Sequence, residues 1–289
     1  MSEFVLKNVK KTYGRKTVIE HLDLTLESGK IYGLIGRNGA GKTTLLSLLS
    51  AQSLPGGGSV TLDGEEIWEN PRALGRICFA RELNPGVGTG LDAMKVGSYL
   101  RTASWFYPHW DRTLADRLLE KFHLDPKARM KKLSKGMLSM VTILVALASK
   151  AEFTFLDEPT AGLDIVAREQ FYKLLLEEYT ESGRTFLIST HIIEEAADVM
   201  EEVLILKDGR LLIRENTQQL LGRAIQVSGL QEEVEKAAEG LRVISRETLG
   251  RRATAAVLLE EDQQIPAGPE VTESPMSLEQ IFVALCRED

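Results

Sequence analysis

A phosphate-binding loop carries the clearest chemistry in this sequence. Its pattern is a glycine, four residues of any type, and then Gly-Lys-Thr. The residues are Gly36, Arg37, Asn38, Gly39, Ala40, Gly41, Lys42, Thr43 and the following Thr44. The apolar residues 30–35 predict a buried strand before the loop, and we expect a helix over about 42–50 after it. This order of elements indicates a nucleotide site rather than a simple glycine-rich turn.

Each part of this loop has a chemical use. Glycines let the backbone curl so that successive N–H groups point at phosphates, and the N-terminus of the following helix attracts the same anion. The Lys42 ammonium is expected to reach the β- and γ-phosphates. The Thr43 hydroxyl is an oxygen ligand of the kind that Mg²⁺ prefers when it bridges protein and phosphate.

Two adjacent carboxylates form the second candidate site. Asp157 and Glu158 follow the apolar run 153–156, which predicts a strand that delivers them to its C-terminal edge, where phosphate ligands of α/β sheets collect. Because neighbouring strand residues point to different sides, Asp157 can hold the Mg²⁺ shell while Glu158 orients or deprotonates the attacking water. A surface acidic pair is the alternative, and the upstream phosphate loop favours the functional interpretation.

Composition limits the class of protein. The chain has 289 residues, 43% hydrophobic and 27% charged, which fits a folded protein of one large and one small domain, or two of medium size. The most apolar stretch, 140–148, is about half as long as a membrane-spanning helix, and we expect no secretion signal. The net charge of −7 disfavours nucleic acid as a partner. Cys78 and Cys286 are expected to be reduced thiols.

The order of predicted elements divides the chain into two parts. Residues 1–222 are expected to form an α/β core with an antiparallel β layer, interrupted by a helical subdomain over about 84–150. The order strand, helix, strand over 151–189 predicts a parallel sheet. After Gly222 the pattern changes, and we expect a small α+β domain over 223–289.

Together these motifs resemble the ATP-binding subunits of ABC (ATP-binding cassette) transporters, over about residues 2–222. Residues 133–137, Leu-Ser-Lys-Gly-Met, are similar to the signature loop, and 161–164, Ala-Gly-Leu-Asp, to the D-loop. His191 stands at the position of the switch histidine, and Tyr13 at that of the aromatic residue that stacks on adenine. The resemblance implies an α/β P-loop ATPase of the ABC type, with a mixed sheet and a helical subdomain.

The resemblance also implies how the site is completed. Two subunits dimerise around two ATP molecules, so that Ser134 and Gly136 of one subunit cap the γ-phosphate bound to the other. Asp164 lies in the loop that crosses this interface, and His191 hydrogen-bonds the γ-phosphate. The implied ligands are ATP and Mg²⁺. The implied partners are transmembrane permease subunits and a second ATP-binding subunit, which we expect to be an identical copy. The permease subunits would hold the protein at the cytoplasmic face of the membrane.

Three residues depart from the family pattern. Lys135 occupies a signature position where glycine is common, and Met137 one where glutamine is common. Glu82 aligns with the glutamine of the Q-loop, which lies near Mg²⁺ and the attacking water in the family. A carboxylate there can still bind Mg²⁺, but it adds negative charge near the triphosphate.

An aromatic run, Trp-Phe-Tyr-Pro-His-Trp at 105–110, lies in the helical insert. It has two interpretations, as part of the core or as an exposed groove that accepts a coupling helix of the membrane subunit. Together with Glu82, the run is similar to a bacterial subgroup of exporter-type ATPases with separate membrane subunits.

Two other functions compete with transport. A soluble ABC ATPase that acts as a nucleotide switch usually carries two cassettes or a coiled-coil insertion, and this sequence shows neither. A phosphate-loop kinase would leave the signature loop and His191 without a role. We therefore expect the ATPase subunit of an exporter, whose transported substrate the sequence does not identify.

Overall fold

A computed structural model describes residues 2–86, 90–260, 262–266, 268 and 270–287. The remaining positions, which the predicted domains include, lie outside the described residues. The strands are β1 (Glu3–Tyr13), β2 (Lys16–Glu27), β3 (Ile31–Gly36), β4 (Gly57–Leu62), β5 (Glu65–Glu66), β6 (Ile77–Ala80), β7 (Phe153–Asp157), β8 (Thr185–Thr190), β9 (Glu202–Lys207), β10 (Arg210–Asn216), β11 (Ala224–Leu230), β12 (Arg242–Leu249), β13 (Arg252–Leu258) and β14 (Val271–Pro275). The helices are α1 (Lys42–Leu49), α2 (Pro71–Leu74), α3 (Val96–Ser104), α4 (Arg112–Lys121), α5 (Lys135–Ala148), α6 (Ile165–Ser182), α7 (Ile193–Ala197), α8 (Thr217–Arg223), α9 (Gln231–Ala237) and α10 (Leu278–Cys286).

The central sheet positions the site. Its order is β10-β9-β3-β8-β7-β6, in which β10 is an antiparallel edge strand and the other five run parallel. Every residue of β3, β7 and β8 is buried, as expected for continuous apolar runs in a covered parallel sheet. The parallel sheet predicted over 151–189 is confirmed, and the carboxyl ends of these three strands meet at one edge.

An antiparallel sheet of order β2-β1-β4-β5 packs against the central sheet. The ring of Phe4 on β1 makes edge contacts with Phe153 and Phe155 on β7, at centroid distances of 5.4 and 5.7 Å. Leucines of α1 belong to the same hydrophobic cluster. The helix that follows the phosphate loop is therefore part of the core.

The helical insert contains α3, α4 and α5, and a buried charge cluster anchors the C-terminal end of α5. Arg184 donates from its two Nη atoms to the carbonyl oxygens of Ala146, at 3.2 Å, and Leu147, at 2.8 Å. A carboxylate oxygen of buried Glu178 lies 3.2 Å from Arg184 Nε and 2.8 Å from Lys150 Nζ. A guanidinium thus satisfies terminal carbonyl groups of the helix, and a carboxylate balances its charge.

The C-terminal segment forms an antiparallel sheet of its own, with the order β12-β13-β11-β14. The helix α9 packs on it around the buried side chains of Val227, Val234 and Val257. The last helix, α10, instead joins a hydrophobic cluster that includes residues of β3 and α7. The segment therefore has an α+β architecture whose last helix packs into the preceding core.

Cys78 and Cys286 are both buried, and neither forms a disulfide. No helix within the described residues has the length and apolar character needed to cross a membrane.

Candidate functional site

The phosphate loop connects β3 to α1 and requires glycine at two of its positions. Gly41 is the N-cap of α1 and has a φ of 109°, a left-handed conformation that side chains disfavour. A Cβ atom at Gly36 would lie 2.7 Å from the carbonyl oxygen of Leu206. The glycines of the motif are therefore explained by backbone geometry and close packing, and α1 begins at Lys42 as the sequence predicts.

The Lys42 side chain is buried and its ammonium lies between the loop and a carboxylate. Its Nζ donates to the carbonyl oxygen of Gly36 at 2.7 Å and lies 3.8 Å from Glu158 Oε1. A buried cation is tolerated only with such partners, so Lys42 is held at the mouth of the loop.

Asp157 is the centre of a hydrogen-bonded group at the sheet edge. Thr43 Oγ1 donates to Asp157 Oδ2 at 2.8 Å, and Ser189 Oγ donates to Asp157 Oδ1 at 2.6 Å. The structure therefore brings Thr43 and Asp157 together. The sequence analysis did not identify Ser189 as a site residue. In the sequence, Ser189 is only a hydroxyl residue at the end of a predicted strand. Its contact with Asp157 follows from the strand register, in which the two residues lie opposite each other.

Glu158 adopts a left-handed backbone conformation with a φ of 50°, which is unfavourable for a residue with a side chain. Its backbone N–H donates to the carbonyl oxygen of Ser189 at 3.2 Å and to Ser189 Oγ at 3.0 Å. Its Oε2 lies 2.5 Å from His191 Nδ1. Strained backbone conformations of this kind cluster at functional sites, where the surroundings hold them.

The signature loop and the D-loop contact each other within the chain. Ser134 caps α5 by accepting from the N–H of Met137 at 3.2 Å, and Asp164 caps α6 by accepting from the N–H of Ala167 at 2.8 Å. A Cβ atom at Gly136 would lie 2.6 Å from the carbonyl oxygen of Gly162. These three predicted site residues thus have structural roles at helix starts and at a close backbone contact.

Glu82 and Lys135, two of the departures from the family pattern, form an ion pair of 3.2 Å, and each side chain is more than half exposed. Ala80 of β6 pairs with Leu156 of β7. Glu82 and Glu158 each come two residues after this pair, so they occupy equivalent positions after neighbouring strands. Glu82 contacts the signature loop through Lys135, whereas Asp157 contacts Thr43 and Ser189.

Tyr13 ends β1 and is half exposed, and Lys11 Nζ lies 5.1 Å from its ring centroid. Its strand pairs with β2, where Val18 and Ile19 lie against Gly41 of the phosphate loop. The hairpin that carries Tyr13 therefore touches the loop.

The aromatic run divides into two parts. Tyr107 and Trp110 stack with centroids 6.4 Å apart, and burial raises the pKa of the Tyr107 hydroxyl. Trp105 and Phe106 are 75% and 71% exposed. Phe106 borders a cavity of about 300 Å³ between the helical insert and the end of β6. The run thus has a partly buried half that packs against the core and an exposed half, and the coupling-helix interpretation stays a prediction for the exposed half.

Fold and site define a P-loop nucleotide hydrolase, with a phosphate loop, a lysine and two carboxylates at the edge of a parallel sheet. The protein-family model described as ABC transporter matches residues 19–161. The Nod factor export ATP-binding protein I of Burkholderia lata is 33% identical over 210 residues, covering 71% of this chain and 67% of that protein. The chain belongs to the family of ABC transporter ATP-binding subunits, which are ATPases that drive transport.

Two further similarities extend this result. The Nod factor export ATP-binding protein I of Cupriavidus metallidurans is 29% identical over 296 residues, covering 97% of this chain and 96% of that protein. A solved dimeric structure of an ATP-binding cassette in a post-hydrolysis state, bound to ADP and Pi, has a TM-score of 0.62 at 23% identity. It covers 74% of this chain and 98% of its own. The ABC-type α/β ATPase fold predicted from the sequence is confirmed.

Proposed function

We propose that this protein is an ATPase subunit that forms a dimer, hydrolyses ATP and thereby drives an exporter with separate transmembrane subunits. The observation that carries the proposal is the continuous set of contacts that joins Lys42, Glu158 and His191 at the sheet edge. Relatives named as Nod factor export ATP-binding proteins support export as the direction of transport.

Within one chain, the loop N–H groups and Lys42 bind the triphosphate, and Tyr13 stacks on adenine. Thr43 Oγ1 and Asp157 Oδ2 are 2.8 Å apart. Two oxygens bound at right angles to Mg²⁺ at about 2.1 Å are about 3 Å apart, so this pair fits such an ion. Mg²⁺, when bound, neutralises charge on the β- and γ-phosphates. Ser189 orients the Asp157 carboxylate for this role.

Glu158 acts as the general base that orients and deprotonates the attacking water. Its backbone is fixed by Ser189, and the contact between its Oε2 and His191 Nδ1 orients both side chains. This contact leaves the other ring nitrogen of His191 for the γ-phosphate. The lysine, the base and the switch histidine are thereby held in one group.

A second copy of the chain completes the site. Ser134 Oγ accepts from Met137, so its own O–H hydrogen stays available to donate to a phosphate oxygen. The start of the 14-residue helix α5 provides backbone N–H groups and a partial positive charge for the same anion. The exposure of Ser134 at this helix start supports its contact with the γ-phosphate held by another subunit.

The membrane partner docks on the helical insert, and the protein is thereby held at the cytoplasmic face of the membrane. Trp105 and Phe106 are exposed large apolar side chains, and Phe106 borders the cavity near β6, which gives a surface suited to an amphipathic helix of a permease subunit. An exposed aromatic pair has no evident use in a soluble nucleotide switch, and we therefore favour transport.

Light scattering of the Glu158→Gln variant, with and without Mg²⁺-ATP, tests the dimer and the base together. This variant should bind ATP without hydrolysing it, and its mass should double when ATP is present. Lys42→Ala is the matched control, since it should stay monomeric under both conditions. A Glu158→Gln protein that binds ATP and remains monomeric would contradict the homodimer, and turnover at the wild-type rate would contradict the role of Glu158.

A further inference from the structure

The last helix of the chain, α10, packs directly behind the phosphate loop and the switch histidine. Its buried residues Ile281 and Ala284 belong to one hydrophobic cluster with Ile35 and Ile193. Ile35 is the residue before the phosphate loop begins, and Ile193 follows His191 by two positions. The C-terminal segment therefore shares its core with the two elements that contact the γ-phosphate in the proposed function.

Both ends of α10 are fixed. Ser277 and Gln280 form a capping box at its start. At its end, Lys207 Nζ from β9 donates to the carbonyl oxygens of Leu285 and Arg287, each at 3.2 Å. A helix held at both ends and buried along one face keeps a defined position on the core.

The end of α10 also lies close to the phosphate loop. Arg37 and the α10 residue Phe282 line the same cavity. Burial raises the pKa of the Cys286 thiol at this end of the helix, and the positive charges of Lys207 and Arg37 oppose that shift. Arg37 is the second residue of the phosphate-loop motif.

One cavity connects these elements. It has a volume of about 330 Å³ and is lined by residues of the phosphate loop, of α10 and of the switch segment, which we define as residues 190–197. The lining includes Arg37, Asn38, Thr190, His191 and Phe282. Phe282 is the α10 side chain in this lining, and it is partly buried.

The switch segment depends on such packing for its position. The helix α7, which follows His191, has only five residues. A helix of this length is unstable in isolation, so tertiary contacts set its position. Those contacts come from β3 and from α10, where Ile193 meets the shared cluster. Because His191 itself is 60% exposed, its location follows from the backbone around it and from its contact with Glu158.

We propose that Phe282 is a positioning residue for ATP hydrolysis: through it, α10 holds the switch segment and sets where His191 stands relative to the phosphate loop. This inference rests on the proposed role of His191 at the γ-phosphate. It makes the C-terminal segment part of the hydrolytic machinery, so that a change in how α10 contacts the switch segment changes turnover.

The test compares Phe282→Ala with Val283→Ala in the full-length protein. Val283 is the next residue of the same helix, is 44% exposed and lies outside the cavity lining. We expect Phe282→Ala to lower kcat by about tenfold, because small displacements of a reacting group are costly, with KM for ATP little changed. Val283→Ala should retain wild-type kcat and KM.

NMR of the histidine rings supplies a readout that a loss of stability would not move. The chain has four histidines, so their imidazole signals can be resolved, and the His191 signal is the one that disappears in His191→Gln. Phe282→Ala should shift the His191 signal, and Val283→Ala should not. Phe282→Leu keeps most of the apolar volume and should give smaller changes of the same sign, which guards against misfolding of the alanine variant.

An unshifted His191 signal in both Phe282 variants would overturn the proposal, and so would a fall in kcat with that signal unmoved. Wild-type turnover by His191→Gln would show instead that the proposed role of His191 is wrong. In that case the NMR comparison still decides whether Phe282 positions the ring.

Discussion

The phosphate side of the site, which comprises Lys42, Thr43, Asp157, Glu158 and His191, differs in construction from the signature side, which comprises Ser134, Gly136 and Asp164. On the phosphate side, strand ends and short polar contacts join these side chains within one chain. On the signature side, the exposed residues Ser134 and Asp164 cap helices, and Gly136 lies close to the carbonyl oxygen of Gly162 in the D-loop. In the proposed function, the first arrangement binds the nucleotide within one chain, and the second meets a nucleotide held by another subunit.

This difference explains why hydrolysis can depend on assembly. If all the groups that contact the γ-phosphate stood on one chain, a single subunit would hydrolyse ATP without moving anything. In the proposed function these groups are divided between two subunits, so closure of the dimer is a condition for reaction, and loss of the phosphate removes contacts that favour the closed state. The three predictions below concern the helix that carries the signature loop, the start of that helix, and the contact between the two sides.

The largest effect is expected at the buried ion pair of Arg184 and Glu178, which anchors the C-terminal end of α5, the helix that begins at the signature loop. Glu178→Gln leaves the buried guanidinium of Arg184 without its carboxylate partner, while burial already lowers the pKa of that guanidinium. We expect a loss of about 3–5 kcal/mol in the free energy of unfolding, the usual cost of breaking a buried ion pair. Denaturant unfolding measures it. Glu177→Gln, on the exposed face of the same helix, should change stability by less than about 0.5 kcal/mol. Equal changes in the free energy of unfolding for the two variants would show that the Arg184–Glu178 ion pair does not stabilise the end of α5.

The next effect separates binding from turnover. In Gly136→Ala the new methyl group meets the carbonyl oxygen of Gly162, so the start of α5 must move. We expect turnover to fall by about 100-fold, the typical cost of displacing a donor from a reacting anion, while ATP binding by the monomer is retained. Gly222→Ala, where the added atom has open space, is the control. Weakened ATP binding by the Gly136→Ala monomer would contradict the division into two sides.

The phosphate side was largely predictable because its residues lie at the end of a buried strand or in the loop motif that follows one. Asp157 ends β7 and Glu158 follows it, whereas Lys42 belongs to the phosphate-loop motif after β3. These three residues could therefore be assigned from local pattern. The contact of Ser189 with Asp157 depends on strand register, and the left-handed backbone of Glu158 depends on its surroundings. Neither has a local signal.

The C-terminal segment was less predictable. Residues Val271–Pro275 form β14 by pairing with β11, although they lack an alternation of apolar and polar side chains. The docking of α10 on the core is likewise a contact between distant residues. The apolar face of α10 was visible in the sequence, but its partner was not, because hydrophobic packing specifies burial without naming the neighbour.

The pairing of Glu82 with Lys135 gives the smallest predicted effect and links the two sides. Both side chains are exposed, so the pair contributes less than about 1 kcal/mol to stability. Removing the carboxylate charge also removes repulsion of the triphosphate, and Glu82→Gln should therefore bind ATP as tightly as the wild type or more tightly. A nucleotide titration measures this, with exposed Glu239→Gln as the control. Clearly weaker binding by Glu82→Gln alone would mean that the carboxylate itself holds Mg²⁺. Unchanged binding would instead assign Glu82 to the contact between the Q-loop and the signature loop.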